Sequence, residues 1–536
     1  MKKIILFVAT TVLFCFQIST TFAQPGIEWQ KCLGGIYNDW PFAIQQTLDG
    51  GYIVAGFTQS NDGDVSGNHN PCGHCSDYWI VKVNISGSIQ WEKCLGGTSD
   101  EVANYIEQTN DGGYIIAGYT VSNDGDVSGN QGDGDVWVVK LDSAGNIQKQ
   151  KCFGGTQFDY ASCIHATVDG GYIIAGYTFS NDGDVSGNHG SQDFWLIKIN
   201  SEWNIQWQKC LGGTQDDLAK SVQLTSDGGY IIAGYTTSNN GDITGWHVGY
   251  YGGGIPYPDW WVVKVDFLGN IEWQKCIGGS NDDRANSILQ TYDGGYIVAG
   301  ATKSNNGDVS GNHDVIGINN DFLIVKLNYS GNVQWLKCLG GNGNDCANSI
   351  QRTFDNGYII AGCTNLNGGD VSGCHVGSTN DCWIVQIDSV GNIKWQKCLG
   401  GSSNENANCI QQTNDAGYIL AGPTYSNNGD VSGNHGGSNM GDYWIVKLIP
   451  DLTLALDEID AELNFNLFPN PVISNLGINL PQKSVIEIIN LHGQLLKTIN
   501  PTENQTTIDI SDFARGMYFI KVTKDKGVLT KKFIKE

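Results

Sequence analysis

The sequence predicts an all-β protein: a seven-bladed β-propeller closed by its N-terminal strand, followed by a small C-terminal β-sandwich. Three observations predict it. The stretch WQKCLGG at Trp29–Gly35 recurs six more times, with its cysteine at 32, 94, 152, 210, 276, 338 and 398. A repeat of this regularity dictates architecture before any local motif does. Every repeat holds the same four strand-like runs, rich in Tyr, Ile, Val and Trp, and none shows a helical period. The repeats also begin and end out of phase. Gly26–Trp29 reads as a fourth strand with no blade before it, and Asp442–Leu448 as a third strand with no fourth after it. The first would complete the last, which closes a propeller. An open solenoid would instead need capping repeats.

Residues 1–23 read as a secretory signal peptide. Lys2 and Lys3 precede an apolar run, Ile4–Phe16, and Thr21–Ala23 offers a small-residue cleavage site. No other apolar run approaches the roughly 20 residues of a membrane helix. Residues 24–448 are the propeller. In its second repeat the strands are expected at Ala103–Thr109, Gly113–Thr120, Asp135–Asp142 and Asn146–Cys152. Asp111-Gly-Gly113 joins the first two, because Gly accepts the positive φ of a tight hairpin turn.

Two tryptophan columns recur. Trp29, Trp91, Trp207, Trp273, Trp335 and Trp395 form one, with Lys149 as its exception; Trp79, Trp137, Trp195, Trp261, Trp383 and Trp444 form the other, with Leu323 as its exception. Large aromatics fill the wedge between twisted sheets. Trp40, Trp203, Trp246 and Trp260 lie off the columns and are the better candidates for stacking on a sugar.

Three columns of carboxylates are expected on one face. The connections between blades supply Asp39, Glu101, Asp159, Asp217, Asp283, Asp345 and Glu405. The long loops supply Asp64, Asp126, Asp184, Asp242, Asp308, Asp370 and Asp430. Asp77, Asp135, Asp193, Asp259, Asp321, Asp381 and Asp442 open the third strands. The long loop "SNDGDVSGNHG" spaces Asp62, Asp64 and Ser66 as the first half of an Asp-x-Asp-x-Ser-Gly calcium loop does. Asp124, Asp126 and Ser128, and Asp182, Asp184 and Ser186, repeat that spacing. Calcium wants about six to eight oxygens, which alternate positions of a tight loop can aim inward. No Glu stands at the twelfth position, and the first acid becomes Asn240, Asn306, Gly368 or Asn428 in later repeats. The other reading is an Asx turn, each carboxylate bonding nearby backbone amides.

Six of the nine histidines share this loop, and one per blade is too widely spaced to ligate a single metal. Cys72 with Cys75, and Cys374 with Cys382, are disulfide candidates in an exported chain. The Cys72–Cys75 motif CGHC matches a disulfide-exchange motif, but a propeller loop lacks the helix start that would lower its thiol pKa. The formal net charge of −25 excludes nucleic acid, which needs a basic footprint.

The paired glycines, Tyr and Trp resemble those of kelch-like propellers, although the spacing departs and only architecture carries over. The "DGGYIIAG" stretches are more similar to repeats of exported bacterial surface proteins. Residues 449–463 read as a linker. From 464 to 536 glycine thins and lysine rises. Phe468-Pro469-Asn470-Pro471, the turn at Gly493, "GMYFIKV" with Gly516 and Tyr518, and Lys531-Lys532 resemble a type A sorting domain of the bacterial type IX secretion system. That resemblance implies partnership with the type IX machinery, passage across the outer membrane, and release or surface attachment.

Two functions are expected from these features. One is a surface or secreted binding module whose acidic loop face meets a glycan or protein, with calcium as a candidate cofactor. The other is a polysaccharide-active enzyme, since two well-placed carboxyls suffice for glycoside hydrolysis. Carboxylates that recur in every blade serve structure better than catalysis. No Ser/His/Asp order, HExxH or phosphate-cradling loop is present.

Overall fold

A computed structural model describes residues 24–69, 75–250, 252–314, 316–375, 379–436 and 440–450. It also describes 466–535 apart from 470–471, 480–484, 491–494, 502–504, 515 and 525–526. The expected signal peptide, Cys72, most of the linker, Asn470, Pro471 and Gly493 lie outside the described residues. The chain divides into two compact units, one ending at Asp451 and one beginning at Leu452. Among the described residues there is no helix.

The first unit is a propeller-like set of four-stranded antiparallel sheets, seven among the described residues. The second repeat shows the pattern: Glu101–Gln108, Tyr114–Thr120, Asp135–Leu141 and Ile147–Phe153 follow one another across the sheet. The expected strand ends are off by no more than two residues, because the turns are written into the sequence. Gly112 takes φ +83° in the hairpin, where Gly112 N–H donates to Thr109 O at 2.9 Å. In the last sheet the first three strands are Cys409–Gln412, Tyr418–Thr424 and Asp442–Leu448. The fourth is Ile27–Leu33 from the other end of the repeats, pairing Ile27 with Leu448 and Leu33 with Tyr443.

The apolar faces close between sheets, not within them. Tyr78 and Ile80 of the first sheet share a core layer with Ala103, Tyr114 and Trp137 of the second. Ile419, Ala421, Tyr443 and Ile445 of the last sheet share one with Val54, Trp79 and Val81 of the first. The tryptophan columns build these layers. Trp137 lies 4.6 Å from Tyr78, and Trp79 lies 4.5 Å from Tyr443. In the other column Trp91 meets Tyr114 of the next sheet edge-on at 5.8 Å. The exception at Lys149 is compensated. Trp203, in a turn at φ +68°, swings beneath the Lys149 ammonium and takes the missing ring's place against Tyr172. Trp203 is therefore a core residue, as is fully buried Trp260, and neither offers a face to a sugar.

Six of the seven first strands carry a β-bulge at the same place. In the second sheet the register slips between Ala103 and Tyr105, leaving Asn104 as the extra residue. The bulge carries the backbone across Gly118, where any β-carbon would collide with the carbonyl oxygen of Val102. A bulge re-aims one side chain.

The second unit has a three-stranded sheet, Asn466–Phe468, Asn475–Asn479 and Gln505–Asp509. Its four-stranded sheet is Leu495–Ile499, Val485–Asn490, Gly516–Lys524 and Gly527–Lys535. Both feed one core that includes Leu476, Ile478, Ile488, Ile520 and Phe533. Tyr518 is part of it, stacked on Phe533 at 5.6 Å and donating its hydroxyl to Ala514 O at 2.8 Å. Phe468 and Lys532 are exposed.

Candidate functional site

The carboxylate columns separate into buried pairs and exposed struts. At each junction between sheets, a connection acid and the acid opening the preceding sheet's third strand abut one glycine. A β-carbon at Gly278 would lie 2.6 Å from Asp259 Oδ1 and 2.7 Å from Asp283 Oδ2. Both carboxyls are fully buried. Asp283 Oδ2 accepts from Gly279 N–H at 2.8 Å and Ser304 Oγ at 2.7 Å. Asp259 Oδ2 accepts from His247 N–H at 2.7 Å and pairs with His247 Nδ1 at 2.8 Å, while Asp259 Oδ1 has no partner. Burial, opposed only in part by these bonds, raises the pKa of Asp39, Asp135, Asp217 and Asp259 to about 7.

The shared loop histidines are clamps. His69 holds Asp77 through Nδ1 at 2.6 Å and turns Nε2 towards Asp126 of the next sheet at 3.8 Å. Gln131 stands where the second sheet lacks a histidine. Its backbone N–H donates to Asp135 at 3.0 Å and its amide to Asp184 at 2.9 Å.

The residues expected to ligate calcium each have a different partner. Asp62 accepts from Ile36 N–H at 3.0 Å, Asp64 from Gly34 N–H at 3.3 Å, and Ser66 donates to Glu92 at 2.5 Å. Asp124 accepts from Thr98 N–H and Oγ1, both at 2.8 Å, and Asp126 from Gly96 N–H at 3.3 Å. Ser128 bonds Gln150. Asp182 accepts from Thr156 N–H at 2.8 Å, Asp184 from Gly154 N–H at 3.4 Å, and Ser186 from Gln208 at 2.7 Å. Where the first acid is Asn240, Asn306 or Asn428, the amide oxygen accepts the same backbone bond at 2.8–2.9 Å. A neutral side chain thus does the same work. Among the described residues no three His, Cys, Asp or Glu side chains are grouped to hold a metal.

The expected Cys374–Cys382 pair does not form. Cys374 is disulfide-bonded to Cys398, the WQKCLGG cysteine of its own sheet, with Cα atoms 5.0 Å apart. Cys382 is fully buried in the third strand. Cys72 lies outside the described residues, and the Cys72–Cys75 pairing with it.

Sequence reading missed a second ring of charge at the hairpin ends. Lys82, Lys140, Lys198, Lys264, Lys326 and Lys447 stand in otherwise apolar third strands. Each pairs with the Asp of the hairpin turn: Lys140 reaches Asp111 at 2.8 Å and Lys198 reaches Asp169 at 2.8 Å. In the sixth sheet Gln386 holds that position, and Lys394 from the fourth strand reaches Asp355 instead. Six lysines at one offset were the available signal.

The first strands of all seven sheets line one cavity of about 390 Å³. Here the repeat breaks. Four bulge residues and Asn408, the residue before the last sheet's first strand, clasp the next sheet: Asn104, Ser162, Asn286, Asn348 and Asn408 donate to the backbone carbonyls of Ala161, Ala219, Ala347, Ala407 and Pro41 at 2.8–3.1 Å. The first and fourth sheets carry Phe42 and Lys220 at this position. Each lines, besides the axial cavity, a further one where the connections enter. Phe42 lies with Trp40, Tyr425, Asn404 and Asn406 in one of about 350 Å³. Lys220 lies with Tyr235, Arg284 and Lys303 in one of about 490 Å³. Trp40 stacks obliquely on Phe57 at 5.8 Å and meets Tyr425 edge-on at 6.3 Å. Deeper in the axial cavity His165 Nδ1 pairs with Glu107 at 2.8 Å.

Comparison with known proteins gives one family match and several distant likenesses. Regulatory protein FlaEY of Caulobacter vibrioides is 24% identical over 164 residues, which is 28% of this chain and 17% of that protein. The chain thus spans well under two thirds of that relative. Among solved structures, BamB from Moraxella catarrhalis is 10% identical with a TM-score of 0.37, covering 80% of this chain and all of that one. PorZ, described as a surface component of the type-IX secretion system of Porphyromonas gingivalis, is 10% identical with a TM-score of 0.28, covering 91% of this chain and 69% of that one. Residues 466–536 match the family of secretion system C-terminal sorting domains, which supports a secreted or surface-attached protein handled by the type IX machinery.

Proposed function

We propose that the protein is a surface or secreted saccharide-binding module, built as a closed ring of seven blades, whose ligand sits at the mouth of the axial cavity. Ring closure is supported by the Ile27–Leu33 strand in the last sheet and by the core layer shared between last and first sheets. The binding reading rests on one observation. The clasp is given up at the mouth, where Phe42 replaces a clasping amide beside Trp40 and Tyr425. Aromatic faces fringed by amide side chains fit a polyhydroxylated ligand: rings cover the apolar faces of sugars, and amides both donate and accept. The recurring carboxyl pairs are buried at every junction, which supports a structural role for them over glycoside hydrolysis.

Calorimetric titration with neutral oligosaccharides tests this reading. Trp40→Ala is expected to remove binding while the protein keeps its melting temperature within a few degrees. Unchanged affinity in that variant would sink the proposal.

A further inference from the structure

Lys220 is the residue at which the clasp is given up for a charge. It occupies the bulge of the fourth sheet's first strand, between Ala219 and Ser221. Five other sheets place Asn or Ser there and bond the next sheet with it. Among the described residues no carboxylate stands within ion-pair distance of its ammonium. Its neighbours are the rings of Tyr177 and Tyr235, 5.7 and 5.8 Å away, and Arg284, whose guanidinium lies 5.0 Å over Tyr235. Asp282 holds that guanidinium through two bonds of 2.8 and 3.1 Å. Lys303 adds a third cation to the cavity wall. Burial first, and Arg284 second, lower the Lys220 pKa. A chain of net charge −25 thus keeps a half-buried lysine, in no ion pair among the described residues, beside an arginine that Asp282 holds. Burying such a charge costs free energy unless something neutralises it.

The cavity is not isolated from the aromatic cleft. Asn348 lines the cationic cavity and Asn406 the aromatic one. Asn348 Nδ2 donates to Asn406 Oδ1 at 2.9 Å, so the two cavities meet at that contact.

We infer that Lys220 and Arg284 form an anion subsite for an acidic saccharide, taking its carboxylate or sulfate group while the neighbouring residue of the chain lies on Trp40 and Phe42. This rests on the saccharide reading above and adds the class of sugar. The tyrosine faces and the amides of Asn286 and Asn320 surround the cations as they would surround a sugar ring.

The test uses the intact protein and Lys220→Asn, which installs the residue four other sheets carry. That variant is expected to keep or raise the melting temperature, because Asn can clasp the next sheet. Oligogalacturonate, a sulfated galactan oligosaccharide and neutral cello-oligosaccharides are titrated into both. The wild type should bind one acidic probe roughly ten-fold or more tightly than the neutral one, since a hydrogen bond to a charged group is stronger than a neutral one. Lys220→Asn should erase that preference and leave neutral binding unchanged. The tighter acidic arm identifies carboxylate or sulfate. No acidic preference in the wild type, or a preference that survives Lys220→Asn, overturns the inference while neutral binding lost in Trp40→Ala still supports the saccharide reading. If no saccharide binds at all, that reading fails. Sodium sulfate then decides the anion site alone: it stands if sulfate raises the wild-type melting temperature and not that of Lys220→Asn, and falls otherwise.

Discussion

The two ends of each sheet treat buried charge in opposite ways. At the hairpin end a buried lysine meets an aspartate, and the Lys140 ammonium beside Asp111 holds that carboxyl at about 2. At the connection end two buried carboxyls face each other with no cation between them, and burial raises Asp39 and Asp217 to about 7. The same repeat therefore carries one group that gains from ionisation and one that loses by it. The hairpin end anchors the sheet at any pH above the acid range. At the connection end burial favours the protonated form of Asp39, Asp135, Asp217 and Asp259.

The largest expected effect is on pH dependence. An unfolded aspartate titrates near 4. The connection-end acids hold protons in the folded chain that the unfolded chain releases between about pH 4 and 7, so stability falls across that window and levels above it. The hairpin-end acids act in reverse, and their contribution is lost as pH falls from about 4 to 2. Thermal melts from pH 2 to 9 should therefore peak near pH 4–5. A maximum at pH 8 would break the comparison.

Next in size is the hairpin-end pair itself. Asp169→Ala leaves the Lys198 side chain, 6% exposed, with only Gln206 and the carbonyl of Ile199. Urea unfolding should show a loss of about 2–3 kcal/mol, below the usual cost because Asp169 is partly solvated. Lys198→Met should cost less than about 1 kcal/mol, since it removes the buried charge rather than stranding it. Equal losses in the two variants would mean that the pair, not the stranded lysine, dominates.

Asp135→Asn probes the other end. Asp135 lacks the histidine that most of its counterparts hold and faces Asp159 across Gly154. The amide can donate to Asp159, so the variant should be stabilised by about 1–2 kcal/mol at pH 8 and unchanged at pH 4. Destabilisation at pH 8 would show that this carboxylate is needed ionised.

The smallest effect is expected in the exposed loops. Asp124→Asn substitutes a residue that three other sheets already carry, and should move stability by less than about 0.5 kcal/mol. A chelator should leave the melt unmoved. A large drop would return Asp124 and Asp126 to the calcium reading.

Much of this was legible in the sequence, for a physical reason. Glycine punctuation at Gly112 and its equivalents fixes the turns, and period-wide repetition averages out local ambiguity. The strand offered at Gly26–Trp29 and the vacancy left after Leu448 are complementary in the text alone. Side-chain fate was less legible. Sequence spacing puts three acid columns on one face but does not say that two columns are buried and one is half-exposed. That sorting depends on the glycine that lets Asp259 and Asp283 approach. Trp203 reads as a spare aromatic until Lys149 is seen above it. Cys374 was matched to its neighbour in sequence, whereas its neighbour in space comes from the fourth strand. Phe42 and Lys220 were invisible as a pair because their shared position is a bulge, which the regular strand pattern hides.

The strand pairing between Ile27–Leu33 and Asp442–Leu448 has a consequence for the order of events. Six sheets are assembled from contiguous chain and can form as soon as their own residues emerge. The last cannot, because its outer strand is made first and its inner three are made at the end of the repeats. A chain appearing N-terminus first must carry an unpaired strand edge for the whole interval, and such edges invite pairing with other molecules. Long-range closure of this kind is slow relative to local hairpins. Pairing of these two strands therefore waits until the repeats are complete, just before the sorting domain is reached, and a last sheet lacking Ile27–Leu33 differs from a complete one by a single strand.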